Sequence, residues 1–308
     1  MTTATNTLPP PKGVWRLTFE RFIEHRLAVA SALALGVMVT AALAAPLVEA
    51  LIGPADAVNL LARFAGPSTA HPLGTDELGR DNLVRLLYGG RVSLFVGLTA
   101  ALVAAVIGTL IGLLAGYYGG RLDALLMRFT DGVISLPMLP LLIVLAALDL
   151  GKLGLPQAWV ESEDVSLYRI IIIVALAGWT TVARLVRSSA LALRARPFVL
   201  AAHAQGAGAA RIMGVHILPN LASPIIVATT LATGNVILLE SVLSFLGLGI
   251  QPPIPSWGNL LTNAQELIWS APALAFYPGV LIFVTVIAFN FLGDGLQDAL
   301  DPKALKRY

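Results

Sequence analysis

The 308-residue chain is 57% hydrophobic and 12% charged, with a formal net charge of +2 and no cysteine, and its mean hydropathy is +0.81. Soluble domains carry about 25% charged and about 45–50% apolar residues, so these values argue against a water-soluble enzyme and against a disordered chain. The missing thiol excludes disulfide frameworks, zinc–thiolate sites, iron–sulfur clusters and cysteine nucleophiles, and the small net charge argues against nucleic-acid binding.

Met1–Pro11 is polar and proline-rich and reads as a disordered tail. Trp15, Phe19, Phe22 and Ile23 then recur at helical spacing beside Arg16, Glu20 and Glu24, the pattern of an amphipathic helix lying on a membrane face. A bilayer core about 30 Å thick needs about 20 apolar residues in a helix. Gaps between ionisable residues of 22 (Arg26 to Glu49), 29 (Arg91 to Arg121), 17 (Asp131 to Asp149), 14 (Arg169 to Arg184), 28 (Arg211 to Glu240) and 27 (Glu266 to Asp294) predict six spans. The fourth is long enough only if its helix runs on to about Ala190, with Arg184 and Arg187 snorkelling to the interface. The first apolar run is too long, and too far from the N-terminus, for a cleavable signal.

Within the second span Gly108, Gly112 and Gly116 recur every four residues. Small residues at that spacing let helix backbones approach in lipid, either within the chain or at a subunit interface. Pro137 and Pro140 predict a kinked or unwound inner end of the third span. With the N-terminus inside, 14 of the 20 Lys and Arg residues fall on the inner side. The positive-inside rule then places both termini inside. Five of the 14 lie between spans four and five, and no Asp or Glu occurs from Val165 to Leu239.

Residues for chemistry are scarce. His25, His71, His203 and His216 all lie outside the spans, and no H-E-x-x-H occurs. Glu240 is the one acid well inside an apolar stretch, either a functional intramembrane polar site or a hydrogen-bond partner for a neighbouring helix. A phosphate-cradling G-x-x-x-x-G-K-[ST] loop is absent: Lys152 follows Gly151, but position 146 is alanine and Leu153 follows. If ATP drives this chain, another subunit binds the nucleotide.

The arginine-rich segment Pro197–Asn220 has alanine-rich helix formers before Gly206, a second short helical stretch after it, and Pro219 opening the next span. It reads as a compact helix–turn–helix whose small apolar residues suit a groove on a partner. Its pattern, A-A-x-A-x-G over Ala201–Gly206 and H-I-L-P-N over His216–Asn220, resembles the coupling loop of binding-protein-dependent ABC importer permeases. Leu200 stands where many members have glutamate, and His203 where many have arginine. His71-Pro-Leu-Gly-Thr-Asp-Glu-Leu-Gly-Arg-Asp81, Tyr88-Gly-Gly-Arg91, Leu246-Gly-Leu-Gly-Ile-Gln-Pro-Pro253 with Trp257-Gly258, and the stretch from Phe289 to Pro302 are similar to the second permease subunit of dipeptide, oligopeptide and nickel importers.

The resemblance implies an all-α fold of six transmembrane helices, of the type I ABC importer permease kind, in a bacterial inner membrane. It divides the chain into an inner tail with an interfacial helix (1–26), a first span with an external segment (27–90), a five-helix permease core (91–293) and an inner C-terminal tail (294–308). The ATPase-coupling loop would comprise Ala201, Ala202, His203, Gly206, Ala207, Arg211, His216, Leu218 and Pro219, with a coupling helix inserting into the ATPase. Implied partners are a homologous second permease, two ABC ATPase subunits or domains, an extracytoplasmic substrate-binding protein and membrane lipid. ATP and magnesium belong to the ATPase, and no cofactor, metal or catalytic residue to this chain. The implied cargo is di- or oligopeptides; nickel, glutathione and opines are the alternatives within the family, and a self-contained secondary carrier or a membrane enzyme outside it.

Overall fold

The computed structural model describes residues 14–148, 150–154, 156–160, 162, 164–262 and 264–300. The polar tail expected over Met1–Pro11 lies outside them, as do residues 301–308 of the expected C-terminal tail. The described chain is helical: α1 (Val14–Glu24), α2 (Arg26–Leu43), α3 (Ala45–Ile52), α4 (Asn82–Tyr118), α5 (Gly120–Ser135), α6 (Met138–Ala146), α7 (Gln157–Val160), α8 (Val165–Arg194), α9 (Pro197–Ala204), α10 (Ala209–Arg211), a π-helical turn (Ile212–Ile217), α11 (Leu218–Phe245), α12 (Ala264–Leu267) and α13 (Ala273–Leu300). Among the described residues five helices are long and apolar enough to cross a membrane, and α5 with α6 makes a sixth span if the bent pair counts as one. Helices α4 and α13 run across residues 90–91 and 293–294, so the divisions expected there fall within helices.

Helix α1 packs on α2 and α13, with Phe19 and Ile23 left exposed. His25 separates it from α2 and caps the latter, its Nδ1 accepting the Ala28 amide at 3.1 Å. The first apolar run is not one straight helix: α2 ends at Leu43 and α3 starts at Ala45, because Pro46 in the first turn of α3 supplies no amide to continue the ladder.

The segment between α3 and α4 folds back on itself. Asp76 Oδ1 accepts the amides of Leu78 and Arg80 at 2.8 and 2.9 Å, and its Oδ2 accepts Arg80 Nε at 2.7 Å. Asp81 caps α4 by accepting the Val84 amide at 2.9 Å. Its other oxygen lies 3.0 Å from His71 Nδ1. The charges of the 71–81 motif are thus spent on building one turn-rich knot.

Helix α4 has 37 residues, about 55 Å at the helical rise, and packs most extensively on α8. Phe95, Leu98, Leu102, Val106 and Leu110 form an outward stripe on it, whereas Val96, Ala100, Ala101 and Ala104 join the core with Ile170, Val174 and Trp179 of α8 and Val236 and Leu243 of α11. Lipid tails are as apolar as leucine, so close packing rather than apolar burial holds these helices together.

The expected third span is not a straight crossing. Helices α5 and α6 meet at 84° across Leu136–Pro137, where Pro137 breaks the ladder. Arg184 and Arg187 of α8 do more than snorkel: they form ion pairs with Asp131 (2.5 Å) and Asp123 (2.5 Å) of α5, tying this tilted helix to α8.

Candidate functional site

The turn after α9 is built by its glycine. Gly206 has φ +83°, its amide donates to His203 O at 2.9 Å and the Ala207 amide to Ala202 O at 3.1 Å. This pair of bonds, closing a helix through a left-handed residue, is the Schellman motif, for which glycine carries no Cβ penalty. A Cβ at Gly206 would meet nothing within 4 Å, so it is the backbone conformation, not space, that requires glycine.

The second helical stretch is not separate from the next span. Residues Ala209–Phe245 form one continuous 37-residue helix, widened to a π turn at Ile212–Ile217 where the Leu218 amide reaches Met213 O. The widening falls immediately before Pro219, which has no amide and whose ring would crowd a regular preceding turn. Pro219 thus stands in the first turn of α11, as expected, and that helix continues the short helical stretch before it without a break.

Of the residues expected in the coupling loop, Ala201, His203, Gly206, Arg211, Leu218 and Pro219 are exposed, Ala207 and His216 are half-buried, and Ala202 is buried. Phe198, Leu200 and Val215 are exposed beside them. On the opposite side, Val199, Ile212, Ile217 and Leu221 pack with Leu113 of α4 and Val182, Val186 and Ala190 of α8. The turn therefore presents an outer surface of small and apolar residues with His203 and Arg211 as basic points, while its inner surface is locked to two long helices.

Those two helices are held in close contact by the glycine stripe. A Cβ added at Gly108 would lie 2.5 Å from Trp179 O, at Gly112 2.4 Å from Ala183 O, and at Gly116 2.7 Å from Ala190 Cβ. The stripe thus faces α8 within the chain.

Glu240 is fully buried at the other end of α11. Its Oε1 accepts from Ser244 Oγ (2.8 Å) and Ser256 Oγ (2.9 Å), and its Oε2 from Ser93 Oγ (3.2 Å) of α4. Each of those hydroxyls accepts a backbone amide in turn, from Ile250, Asn259 and Trp257, each at 3.1 Å. The acid is the hub of a network fastening the 246–262 segment onto α4 and α11. Trp257 completes the joint: its Nε1 donates to Leu86 O at 3.0 Å, and its ring would lie 2.8 Å from a Cβ at Gly90. The motifs Tyr88-Gly-Gly-Arg91 and Trp257-Gly258, far apart in sequence, are brought together here. The serines carry no sequence signal: Ser93 and Ser244 are isolated in apolar helices, and Ser256 lies in the irregular segment after α11.

A cavity of about 800 Å³ opens between α8, α11 and α13, lined by apolar side chains such as Val227, Leu231 and Leu239, with Thr181, Ser223, Asn235, Gln297 and the acid Asp298 as polar points. No group of three or more metal-ligating side chains occurs among the described residues.

A multi-span helical bundle with an exposed turn welded to its longest helices is the architecture of a membrane permease subunit. Residues 108–306 match the family described as binding-protein-dependent transport system inner membrane component, and residues 13–67 match the N-terminal transmembrane domain of oligopeptide transport permease C. The chain is 39% identical to the dipeptide transport system permease protein DppC of Alkalihalophilus pseudofirmus, over 98% of this chain and 96% of that protein. It is 37% identical to the oligopeptide transport system permease protein OppC of Escherichia coli K12, over 95% and 92%. With the glutathione transport system permease protein GsiD of Pectobacterium atrosepticum it shares 39% identity over 94% and 91%. The chain belongs to the family of inner-membrane permease components of binding-protein-dependent ABC importers. Such permeases work with ATPase and binding-protein partners.

Proposed function

We propose that this chain forms half of the translocation pathway of an ATP-driven importer of small peptides. Its partners are one homologous permease, two ATPase subunits or domains that bind ATP and magnesium, and an extracytoplasmic binding protein. The observation that carries this reading is the turn at Gly206, exposed and rich in small and apolar residues on its outer surface and locked to α4 and α8 through Val199, Ile212 and Ile217. Reversing a 1:99 balance between two access states needs about 5.5 kcal/mol of differential binding. A loop that flexed on its own would dissipate such work; one packed on two spans delivers it to them. Leu200 and His203 place an apolar and a weakly basic side chain where many members carry opposite charges, so docking here leans on shape and apolar contact.

The cavity between α8, α11 and α13 is this chain's share of the pathway. Its few polar points suit a cargo with side chains of any kind. Peptide cargo is favoured over nickel or opines because the relatives above are named for dipeptides, oligopeptides and glutathione, itself a short peptide. The charge asymmetry orients the chain with both termini in the cytoplasm.

The test is reconstitution of the complex with its cognate binding protein and a panel of labelled peptides and nickel. ATP-dependent peptide uptake, with an ATPase and a second membrane subunit copurifying, is the expected result. Uptake by this chain alone, or of nickel only, would refute the reading.

A further inference from the structure

Among the described asparagines, Asn235 alone makes no hydrogen bond within the chain. Asn59 accepts a backbone amide, Asn82, Asn220 and Asn290 donate to backbone carbonyls, and Asn259 does both. About 15 Å of α11 separates Asn235 from Phe245 and about 26 Å from Leu218, so it lies well inside a candidate membrane span. An amide side chain without a partner is costly at that depth if it faces hydrocarbon.

Its neighbours on the helix show where it faces. Thr233 and Ile237 lie against Gly97 of α4, and a Cβ at Gly234 would stand 3.3 Å from Phe289 Cβ of α13. Val236 joins the core with Val174 of α8. Asn235 is exposed and forms part of the wall of the 800 Å³ cavity, with Gly178 and Thr181 of α8 beside it in that lining. Near the same level, the exposed side chains of α4 and α13 are apolar, Leu98 on the one and Ile287 on the other. Along α11 the lining runs from Ser223 to Leu239, about 24 Å of helix, the length of an extended peptide of about seven residues. Ser223, whose hydroxyl meets Leu300 O at 3.5 Å, marks one end with Gln297 and Asp298, and Asn235 lies toward the other.

We propose, resting on the importer reading, that Asn235 contacts the cargo and that its side-chain amide hydrogen-bonds a backbone peptide group of the chain in transit. A carboxamide offers both donor and acceptor, the same pair that each peptide group presents whatever side chains flank it. It is also neutral, so it holds a passing cargo without trapping it, as a conducting site requires. The apolar walls around it leave the cargo's side chains unread.

The test is single-turnover uptake into proteoliposomes that hold the whole transporter. The cognate binding protein is preloaded with a labelled tripeptide, or with its analogue carrying esters in place of both amides. Loading is measured first, so the binding protein's own preference drops out. An ester lacks the N–H and is a weaker acceptor. The wild type should take up the ester analogue about fivefold more slowly, the effect of one ordinary hydrogen bond. Asn235→Leu should slow the tripeptide by that factor and leave the analogue at its wild-type rate, while Asn235→Gln, which keeps both groups, should restore the preference. Any result in which Asn235→Leu changes the two cargoes together, both slowed or neither, would overturn the proposal. So would a wild-type complex that carries both at one rate, or loss of the second membrane subunit from purified Asn235→Leu, which would assign the amide to the subunit interface. If the wild-type complex takes up neither cargo, it is the importer reading that fails, and the proposal with it.

Discussion

Glycines with opposite requirements separate function from assembly. At Gly206 the constraint is φ +83° with open space around it. A side chain there costs about 1–2 kcal/mol of local strain but breaks no internal packing. Gly206→Asp should therefore accumulate in the membrane at near-normal level while losing peptide uptake and ATPase association, measured in the same cells. At Gly108 the constraint is proximity, since the Trp179 carbonyl lies 2.5 Å from any added Cβ. Gly108→Asp forces α4 and α8 apart and buries a charge, so the expected outcome is a sharp fall in membrane abundance. Equal abundance of the two variants would contradict this division.

Helices in this molecule are joined by polar links as well as by close packing. Glu240 holds three hydroxyl donors, and each serine is itself held by a backbone amide of the 246–262 segment. Removing the acid strands buried donors at about 1–3 kcal/mol each. We expect Glu240→Ala to lower the thermal stability of the purified complex far more than Ser93→Ala, which deletes one spoke. In a double-mutant cycle the two losses should be non-additive, and simple additivity would argue against a shared network. The Arg187–Asp123 link is different in kind, since its side chains are 34% and 15% exposed. Such a pair contributes about 0.2–1 kcal/mol. Asp123→Arg with Arg187→Asp should therefore restore whatever either single reversal loses in protease resistance, and a double variant worse than both singles would show that the pair does not tie α5 to α8.

Across the whole molecule, the lopsided distribution of basic residues makes a topological prediction. Reporter fusions after Leu51, near Gln157 and near Pro255 should read as external, and those near Asp123, at Gly206 and at the C-terminus as cytoplasmic. An external reading at Gly206 would put the proposed ATPase contact on the wrong side of the membrane and defeat the functional reading with it.

The linear chain already determined the class of protein, because a bilayer imposes long apolar runs and charge-free gaps that survive without knowledge of any contact. The helical turn at Gly206 and the break near Pro137 were legible for a related reason: glycine and proline act on the backbone locally. What the tertiary structure alone decided are the partnerships between distant residues. Arg184 and Arg187 read as interface snorkels until α5 folds alongside and supplies Asp131 and Asp123. Glu240 stood between two readings until serines 147 and 16 positions away met it. The glycine stripe pointed to a close contact but not to its partner, since spacing defines the face of a helix and not the helix that covers it.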